Sequence, residues 1–328
     1  MRVLVTGGAG FIGSNLVRRA LADELPGLEG SEVTVLDALT YSGNPANLAS
    51  VEDSPRYRFV HGDIRDRELL AGLLPGHDAI LHLAAESHVD RSVRDAAPFV
   101  DTNVGGTQRL LDAAVEAGIP RFVHVSTDEV YGSIDEGSWT EEQLLEPNSP
   151  YSASKAGSDL LARSYHRTHG LDVSITRCSN NYGPYHFPEK LIPLFVTNLL
   201  DGRPVPLYGD GGNVRDWLHV DDHVRGIALV LQGGRAGEIY NIGGGTELSN
   251  REITELLLEA TGRDWSSVEP VEDRKGHDRR YSVDIAKIRR ELGYAPRVGF
   301  REGLAAVVDW YRERRDWWEP LKQRAGLD

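Results

Sequence analysis

The sequence has one cysteine, few basic residues for its acidic content and no long apolar run, and each shortage excludes a class of protein. The single cysteine, Cys178, excludes an intrachain disulfide framework and suits a reducing compartment. The 36 lysines and arginines are outnumbered by 50 aspartates and glutamates, which gives a formal net charge of -14. This balance argues against broad binding to nucleic acid or to anionic membranes, since both need basic surface.

The lack of long hydrophobic stretches gives an expectation about where in the cell the protein is located. After Met1 and Arg2 the first apolar run is only three residues long, too short for a signal peptide, and no later stretch approaches membrane-spanning length. We therefore expect a cytoplasmic protein without membrane contact. With 328 residues, of which 40% are hydrophobic, the chain is long enough for one large domain or two packed ones.

A glycine-rich string near the start predicts a dinucleotide site. The string 7–13 follows a short β-branched run and leads into a helical pattern. Alone, such a string indicates no more than a tight turn from strand to helix. Here a second strand follows and ends at Asp37, near the spacing at which a carboxylate accepts hydrogen bonds from an adenosine ribose. Because a carboxylate repels a 2′-phosphate, the pattern favours NAD over NADP.

Strands and helices alternate through the first half of the chain. Short apolar runs at 57–60, 79–83 and 121–126 are separated by helical patterns, one of which runs from about Pro98 to Ala117. This alternation predicts an α/β fold of the Rossmann type. Its sheet is doubly wound and parallel, with ligands at the carboxyl ends of the strands.

The fifth predicted strand runs into Thr127-Asp128-Glu129, which is a poor way to continue a buried strand. Acidic side chains are almost never fully buried unless they are paired. Two interpretations are open: a solvated strand end, or a hydroxyl and two carboxyls that equip a pocket. Because neighbouring side chains of a strand point to opposite faces, both carboxyls can reach one ligand only if the backbone turns after Thr127. The pocket interpretation therefore predicts such a turn.

The next helix has a clear start, with Ser149 as N-cap and Pro150 as the first helical residue. Tyr151 and Lys155 lie four residues apart on it and share a face. Alone, such a pair usually means two half-exposed residues. Beside a dinucleotide site, the ammonium is expected to lower the tyrosine pKa from its usual value of about 10. Tyr151 could then take a proton from a substrate alcohol while hydride leaves for the nicotinamide.

Beyond Cys178 the chain is punctuated by proline and glycine. We place an NAD-binding Rossmann domain at 1–178 and a smaller substrate-binding region at 179–328, with 218–235 as a candidate for packing back onto the first sheet. Basic residues that recur in the second region suit the oxygens of a diphosphate, although each alone is most simply a solvated charge. They are Lys190, Arg215, Arg274, Arg279 and Arg280.

The eleven histidines show no paired zinc-type spacing with cysteine or histidine. His82 and His124 lie inside predicted strands, where packing in the core is the expected role. We therefore predict that the protein holds no metal. The amphipathic pattern near 303–314 and the tryptophans at 310, 317 and 318 indicate packing, not a cofactor site.

Several motifs together resemble a known family. The glycine string, the Leu83-Ala84-Ala85 turn and the Tyr151/Lys155 pair are similar to the extended short-chain dehydrogenase/reductase superfamily over essentially the whole chain. Within it, the segments 85–90, 126–132, 177–184 and 276–281 resemble dTDP-glucose 4,6-dehydratases. Sugar-nucleotide epimerases share the scaffold but usually lack the Asp-Glu pair after the threonine.

The resemblance implies dehydration of dTDP-glucose to a 4-keto-6-deoxy sugar, with NAD recycled. Tyr151, assisted by Lys155, would take the C4 hydroxyl proton. Glu129 would remove the C5 proton, and Asp128 would protonate the departing C6 hydroxyl. Thr127 would hold the sugar near its C4 oxygen.

The resemblance also implies contacts with both ligands and a homodimer through the helices at 98–117 and 151–168. Together with the residues derived above, the expected cofactor contacts are Gly7, Gly10, Phe11, Ile12, Gly13, Asp37, Asp63, Ile64, Leu83, Ala84, Ser87, Thr102, Tyr151, Lys155 and Asn181. The expected contacts with the nucleoside-diphosphate glucose are Ser87, Thr127, Asn180, Lys190, Leu191, Pro206, Tyr208, Arg215, Asn250, Arg274, His277 and Tyr281.

Two other functions stay open. An NAD-dependent sugar-nucleotide 4-epimerase needs Tyr151 and the cofactor but no acid and base at C5 and C6. An NAD-binding regulator could keep the fold without chemistry, although the intact residues Asp128, Glu129, Tyr151 and Lys155 argue against it.

Overall fold

The first strand lies inside a seven-stranded sheet, where Val3, Leu4 and Val5 are fully buried. The structure is a computed structural model that describes residues 1–273 and 277–327. The strands are β1 (Arg2–Thr6), β2 (Glu32–Asp37), β3 (Tyr57–His61), β4 (Ala79–His82), β5 (Arg121–Thr127), β6 (Val173–Cys178), β7 (Asn180–Tyr182), β8 (Val205–Tyr208), β9 (Val214–His219), β10 (Ile239–Ile242), β11 (Glu247–Ser249) and β12 (Val268–Val271).

The helices alternate with these strands as expected. They are α1 (Phe11–Leu21), α2 (Arg67–Leu73), α3 (Val89–Arg94), α4 (Ala97–Phe99), α5 (Thr107–Glu116), α6 (Pro150–His169), α7 (Leu191–Leu200), α8 (Val220–Gly233), α9 (Asn250–Thr261), α10 (Ala286–Leu292), α11 (Phe300–Glu313) and α12 (Arg315–Ala325). Short 3-10 helices span Pro45–Val51, Asp128–Tyr131 and Trp265–Ser267, and a π-helical segment spans Val100–Gly106.

The large sheet is parallel throughout, in the order β10-β6-β5-β4-β1-β2-β3. Alternate residues of β1 enter different cores. Val3 and Val5 pack with α1 and α8 on one face, and Leu4 packs with α2, α5 and α6 on the other. The sheet is therefore covered by helices on both faces, which confirms the predicted doubly wound Rossmann-type fold.

Two small sheets and four helices form the second region. One sheet has the order β11-β9-β7, and β8 pairs with β12 in the other. Helices α7, α9, α11 and α12 pack together around a core that includes Trp217 and Trp318. Trp310 and Trp317 pack against the same core, so the tryptophan-rich end of the chain has the packing role that its pattern indicates.

Two elements from beyond residue 178 join the large sheet. Helix α8 packs on α1, β5 and β6, and it falls within the candidate segment 218–235. Strand β10 pairs in parallel with β6, although it lies in the range that we assigned to the second region. A four-residue strand carries too little pattern to be assigned to either sheet from sequence. The division of the chain at 178 stays a prediction.

The helix expected from about Pro98 to Ala117 is irregular. A π-helical segment separates α4 from α5, and within it a Cβ on Gly106 would lie 2.7 Å from the Ile64 side chain. The side chain of Asn103 bonds both backbone polar groups of Glu86, at 2.9 and 3.0 Å. Asn103 thus ties this segment to the loop after β4. Segments with π-helical geometry are often found at functional sites.

None of the helices within residues 1–273 and 277–327 has both the length and the apolar character that a membrane span requires. The same part of the chain contains no group of three or more histidine, cysteine or acidic side chains that could hold a metal ion. His82 is a core residue, since its ring hydrogen-bonds Thr6 and Thr107 at 2.7 and 2.9 Å.

Candidate active site

A single cleft lies at the carboxyl ends of the central strands and is also lined by residues of the second region. Its volume is about 1350 Å³, which exceeds the roughly 300–1,000 Å³ of a typical small-molecule pocket and leaves room for two ligands. The cofactor, substrate and catalytic residues expected from the sequence line this cleft, except Arg279 and Arg280, which are described below, and Arg274, which lies outside the described residues.

The glycine loop closes tightly on its own backbone. A Cβ on Gly13 would lie 2.2 Å from the Gly7 carbonyl oxygen, and one on Gly7, whose φ is +71°, would lie 2.7 Å from the backbone of Ala84. Helix α1 follows with Gly10 as its N-cap and with no side-chain capping bond. The positive end of the helix is therefore left to a ligand, as a dinucleotide pyrophosphate requires. The loop fits NAD on this ground.

Asp37 ends β2 at the edge of the same cleft. Its carboxylate accepts hydrogen bonds from the backbone amides of Ala9 and Leu39, at 2.9 and 2.8 Å. The pKa of Asp37 is raised because burial outweighs these two bonds. A carboxylate offers about four lone pairs, so Asp37 keeps acceptor capacity for a ribose.

Ser87 connects the cofactor side of the cleft with the second region. Its hydroxyl lies 3.2 Å from the Tyr41 hydroxyl, and its carbonyl oxygen accepts a hydrogen bond from Lys190 Nζ at 2.9 Å. The position of Ser87 suits the contact with both ligands that was expected of it.

The backbone leaves strand conformation directly after Thr127. β5 ends there, and Asp128–Tyr131 form a 3-10 helix whose N-cap is Thr127. The Glu129 amide donates to Thr127 Oγ1 at 3.3 Å. Asp128 and Glu129 both line the cleft. The predicted turn is thus confirmed, and the solvated strand end is excluded for Asp128, which is 1% exposed.

The environment of Asp128 favours its protonated form. Thr127 Oγ1 donates to Asp128 Oδ1 at 3.4 Å, while Oδ2 is buried and has no hydrogen-bond partner within the described residues. Burial raises the pKa of Asp128 well above its usual value, and the charges of Glu129 and Asp216 raise it further. These surroundings therefore favour the form of Asp128 that can donate a proton.

Helix α6 begins as expected, with Ser149 and Ser152 forming a reciprocal cap. Tyr151 and Lys155 are buried on one face of this helix and both line the cleft. The Lys155 ammonium donates to the Val125 carbonyl oxygen at 2.8 Å. The Thr127 side chain lies close enough to the Tyr151 phenol to oppose the rise of its pKa. Thr127 thus lies between the phenol and the two carboxyls.

The expected lowering of the Tyr151 pKa is wrong for the protein without ligands. Burial raises the pKa of Tyr151 well above its usual value, and the charge of Glu129 raises it further. Burial also lowers the pKa of Lys155 to about 8. The spacing of four residues predicts a shared face, but it carries no information about the buried surroundings or the nearby carboxylate.

Arg215 brings a positive charge to the wall of the cleft. Its guanidinium lies 4.2 Å from the centre of the Tyr281 ring, and Nη2 donates to the Asp278 carbonyl oxygen at 3.0 Å. Its charge opposes the raised pKa of Asp128. Arg215 is therefore placed between the expected nucleotide contacts and the acidic pair.

Arg279 and Arg280 are not among the described residues that line the cleft. Arg279 pairs with Asp210 at 2.9 Å, and Arg280 pairs with Glu247 at 2.6 Å. These partners neutralise both charges, so their placement gives no support to the diphosphate contact expected from the sequence. The ion-pair partner of an arginine cannot be predicted from its position in the sequence when that partner is distant along the chain.

Three residues at the site were missed by sequence reasoning. Asn103 holds the loop after β4, as described above. Asp216 accepts hydrogen bonds from the amides of Gly244 and Thr246, both at 3.0 Å, and adds to the raised pKa of Asp128. Cys178 ends β6 and lines the cleft, whereas the sequence analysis used it only as the single cysteine and as a domain boundary.

Comparison with known proteins agrees with this geometry. A family model described as GDP-mannose 4,6 dehydratase matches residues 4–307. A dTDP-glucose 4,6-dehydratase from Streptomyces griseus is 65% identical over 328 residues, which cover 99% of this chain and 98% of that protein. A solved dTDP-glucose 4,6-dehydratase from Streptomyces venezuelae with NAD bound is 71% identical, with a TM-score of 0.97 over 98% of this chain and 100% of that one.

An epimerase is a more distant match. A solved UDP-glucose 4-epimerase from Thermotoga maritima is 34% identical, with a TM-score of 0.87 over 96% of this chain and 100% of that one. The fold is thus shared with epimerases, while the sequence is much closer to the dehydratases. The chain belongs to the GDP-mannose 4,6-dehydratase family, in which it is most similar to dTDP-glucose 4,6-dehydratases.

Proposed function

We propose that this protein dehydrates dTDP-glucose to dTDP-4-keto-6-deoxyglucose with NAD as a recycled cofactor. The observation that carries this proposal is the turn after Thr127, which places Asp128 and its neighbour Glu129 in the cleft with Tyr151. The dehydratase relatives and the NAD bound in one of them support the same substrate and cofactor here.

The reaction needs an oxidation before the water can leave. The C5 hydrogen of a hexose is not acidic, whereas a ketone at C4 makes it so. When bound, NAD would supply a hydride acceptor for C4, a positive charge that favours a phenolate nearby and, in its reduced form, a hydride donor for C6. The protein must therefore deprotonate the C4 hydroxyl, remove the C5 proton and protonate the C6 hydroxyl.

Tyr151 takes the proton from the C4 hydroxyl. Thr127, which lines the cleft together with Tyr151, holds the C4 oxygen within reach. Lys155 stays fixed by the Val125 carbonyl at 2.8 Å and contributes positive charge on the same helical face. These groups carry out the first proton transfer, which a dehydratase shares with an epimerase.

Asp128 and Glu129 carry out the steps that distinguish a dehydratase. Asp128 holds a proton because it is buried beside another carboxyl, and it donates that proton to the departing C6 hydroxyl. Glu129 removes the C5 proton and later gives it back. Two neighbouring carboxyls can share the work because repulsion keeps one of them protonated while the other is ionised.

The remaining expected residues bind the two ligands in this proposal. The glycine loop, Asp37 and the loop after β4 hold the cofactor, while Asn180, Lys190, Arg215 and the other expected contacts hold the nucleotide and its diphosphate. The net charge of -14 argues against nucleic acid and anionic membranes as partners.

We also propose a cytoplasmic homodimer. Val100 and Leu160 are 51% and 55% exposed, on the π-helical segment and on α6, which pack against each other. Large apolar side chains on adjacent exposed helices suit an interface with a second copy. The single, buried cysteine suits a reducing compartment.

The purified protein should be incubated with dTDP-glucose and, separately, with UDP-glucose and GDP-mannose, and the products read by mass. The proposal expects loss of one water from dTDP-glucose without added oxidant. A product of unchanged mass with inverted C4 would favour the epimerase. Copurified NAD that no sugar nucleotide reduces would favour the regulator.

A further inference from the structure

Arg177 is a buried charged residue that the mechanism above does not use. It lies on β6, one residue before the strand ends, and it is 1% exposed. A buried charge is costly unless it is paired and hydrogen-bonded. The contacts of Arg177 reach two elements that carry reacting groups.

On one side, Arg177 contacts the helix that carries Tyr151 and Lys155. Its Nε donates to Asp159 Oδ2 at 2.9 Å, and Asp159 is fully buried on α6, one turn after Lys155. His124 Nε2, on the neighbouring strand, lies 3.3 Å from the other oxygen of the same carboxylate. The helix is thus held to β5 and β6 at the level of its reactive face.

On the other side, Arg177 contacts the turn that carries Asp128 and Glu129. Its Cζ lies 4.7 Å from the centre of the Tyr131 ring, and Tyr131 is the last residue of that 3-10 helix. The ring is fixed in turn, because its hydroxyl donates to Asn241 Oδ1 at 2.8 Å and its face stacks on Trp139. One planar guanidinium therefore touches both catalytic elements.

These two elements have no short covalent connection that would fix their spacing. Residues 132–149 separate the 3-10 helix from α6 as a long irregular segment. Buried ion pairs contribute little net stability compared with apolar residues of similar size. Precise placement of reacting groups depends on supporting residues whose own contacts are locked. We therefore interpret the Arg177–Asp159 pair as fixing the relative position of the two elements, and not as adding to the free energy of unfolding.

We propose that Arg177 and Asp159 are positioning residues that hold the Asp128–Glu129 turn in fixed relation to Tyr151 and Lys155, so that water elimination promptly follows oxidation. The inference rests on the proposed dehydratase function. Because the pair touches no reacting atom, its loss should slow the later steps more than C4 oxidation. Oxidation should slow only to the extent that Lys155 loses the nearby charge of Asp159, which raises its pKa. A misplacement of about 1 Å can cost roughly 10²-fold in rate.

The test is the double variant Asp159→Asn/Arg177→Gln, which removes both charges and leaves neither one unpaired in the core. The matched control is Asp172→Asn/Arg121→Gln. That ion pair also links β5 with the start of β6, but at the opposite, amino ends of the strands. Because the control pair is more exposed than the buried Arg177–Asp159 pair, thermal unfolding of both double variants measures the loss of stability separately. A positioning role predicts a kinetic defect in the first variant at temperatures where both variants are folded.

The readouts are the absorbance of reduced nicotinamide after mixing with dTDP-glucose, the rate of water loss, and the fraction of protein that retains NAD. We expect the Asp159/Arg177 variant to retain NAD, to accumulate reduced nicotinamide and to lose water at least tenfold more slowly. The control should behave like the wild type. Equal slowing of oxidation and water loss, or no slowing of either, would overturn the proposal.

A second variant keeps the test decisive if the first does not fold. Tyr131→Leu retains the ion pair but removes the ring against which the guanidinium packs, and it should also accumulate reduced nicotinamide. Tyr131→Phe keeps that ring and should rescue most of the coupling. If Leu and Phe behave identically, the proposal fails. If the wild-type protein itself releases no water, the dehydratase function fails instead.

Discussion

The backbone amide of Glu129 donates a hydrogen bond to the side-chain oxygen of Thr127, 3.3 Å away. This bond caps a 3-10 helix at the end of a buried strand. Without the turn, the side chains of Asp128 and Glu129 would point to opposite faces of the sheet. With it, both line the cleft. The choice between dehydratase and epimerase chemistry thus depends on a local backbone feature.

Replacement of Thr127 by valine should weaken this turn and the contact with Tyr151. Loss of an N-cap hydroxyl costs about 1 kcal/mol, so the melting temperature should fall slightly. The kcat for water loss should fall at least about tenfold, because both carboxyls and the C4 oxygen lose their positioning. Thr127→Ser retains the hydroxyl and should stay close to wild type. Equal activity of the two variants in a steady-state assay would contradict the role of Thr127.

Single replacements of Asp128 and Glu129 should each slow a different step of the reaction. Asp128→Asn removes the acid and should slow water loss by roughly 10²-fold or more, while reduced nicotinamide accumulates. Glu129→Gln removes the base and should abolish exchange of the C5 hydrogen with solvent deuterium. Stopped-flow absorbance and NMR measure these steps separately. An Asp128→Asn variant with undiminished turnover would argue against its assignment as the acid.

Water loss should decline as the pH rises. The raised pKa of Asp128 follows from burial, Glu129 and Asp216, and the deprotonated form cannot act as an acid. The pKa of Lys155 is lowered to about 8 because it is buried, so its positive charge is lost above that pH. Both changes act on the alkaline side of the kcat profile. The rate of water loss must be measured after C4 oxidation, because Tyr151, whose pKa is raised, takes the C4 proton more readily as the pH rises. A rate of water loss that rises with pH across this range would contradict both assignments.

Gly13→Ala should eliminate NAD retention. The added Cβ would lie 2.2 Å from the Gly7 carbonyl oxygen, which forces the loop open at the helix end that receives the pyrophosphate. Gly72→Ala is the control, since a Cβ there meets nothing within 4 Å and alanine favours the helix. Absorbance of the purified proteins gives the bound NAD. Equal NAD content in both variants would exclude this role of the loop.

Much of the fold could be predicted because its signals are local. The apolar run of β1, the glycine string and the Ser149-Pro150 helix start each depend on neighbours in sequence. Strand β10 and the π-helical segment at 100–106 could not be predicted. The first carries too little pattern, and the second packs against Ile64, which is distant from Gly106 in sequence.

Sequence also predicted the local geometry of the site, but not its electrostatics. Tyr151 and Lys155 share a face because helical spacing dictates it, and the turn after Thr127 follows from the strand period. The pKa of Tyr151 was expected in the wrong direction, since burial and Glu129 outweigh any help from Lys155. Likewise, the partners of Arg279 and Arg280 come from distant parts of the chain. The pKa of a group and its ion-pair partners depend on all neighbours in space. The spacing of residues along the chain gives information only about neighbours in sequence.

The most direct test of the central claim follows the hydrogen at C4. The protein should be incubated in ordinary water with dTDP-glucose that carries deuterium at C4, and the product examined by NMR. If Tyr151 starts an oxidation that Asp128 and Glu129 turn into water loss, the deuterium will be found at C6 of a 4-keto-6-deoxy sugar. Deuterium that remains at C4 of a sugar that has lost no water would contradict the account.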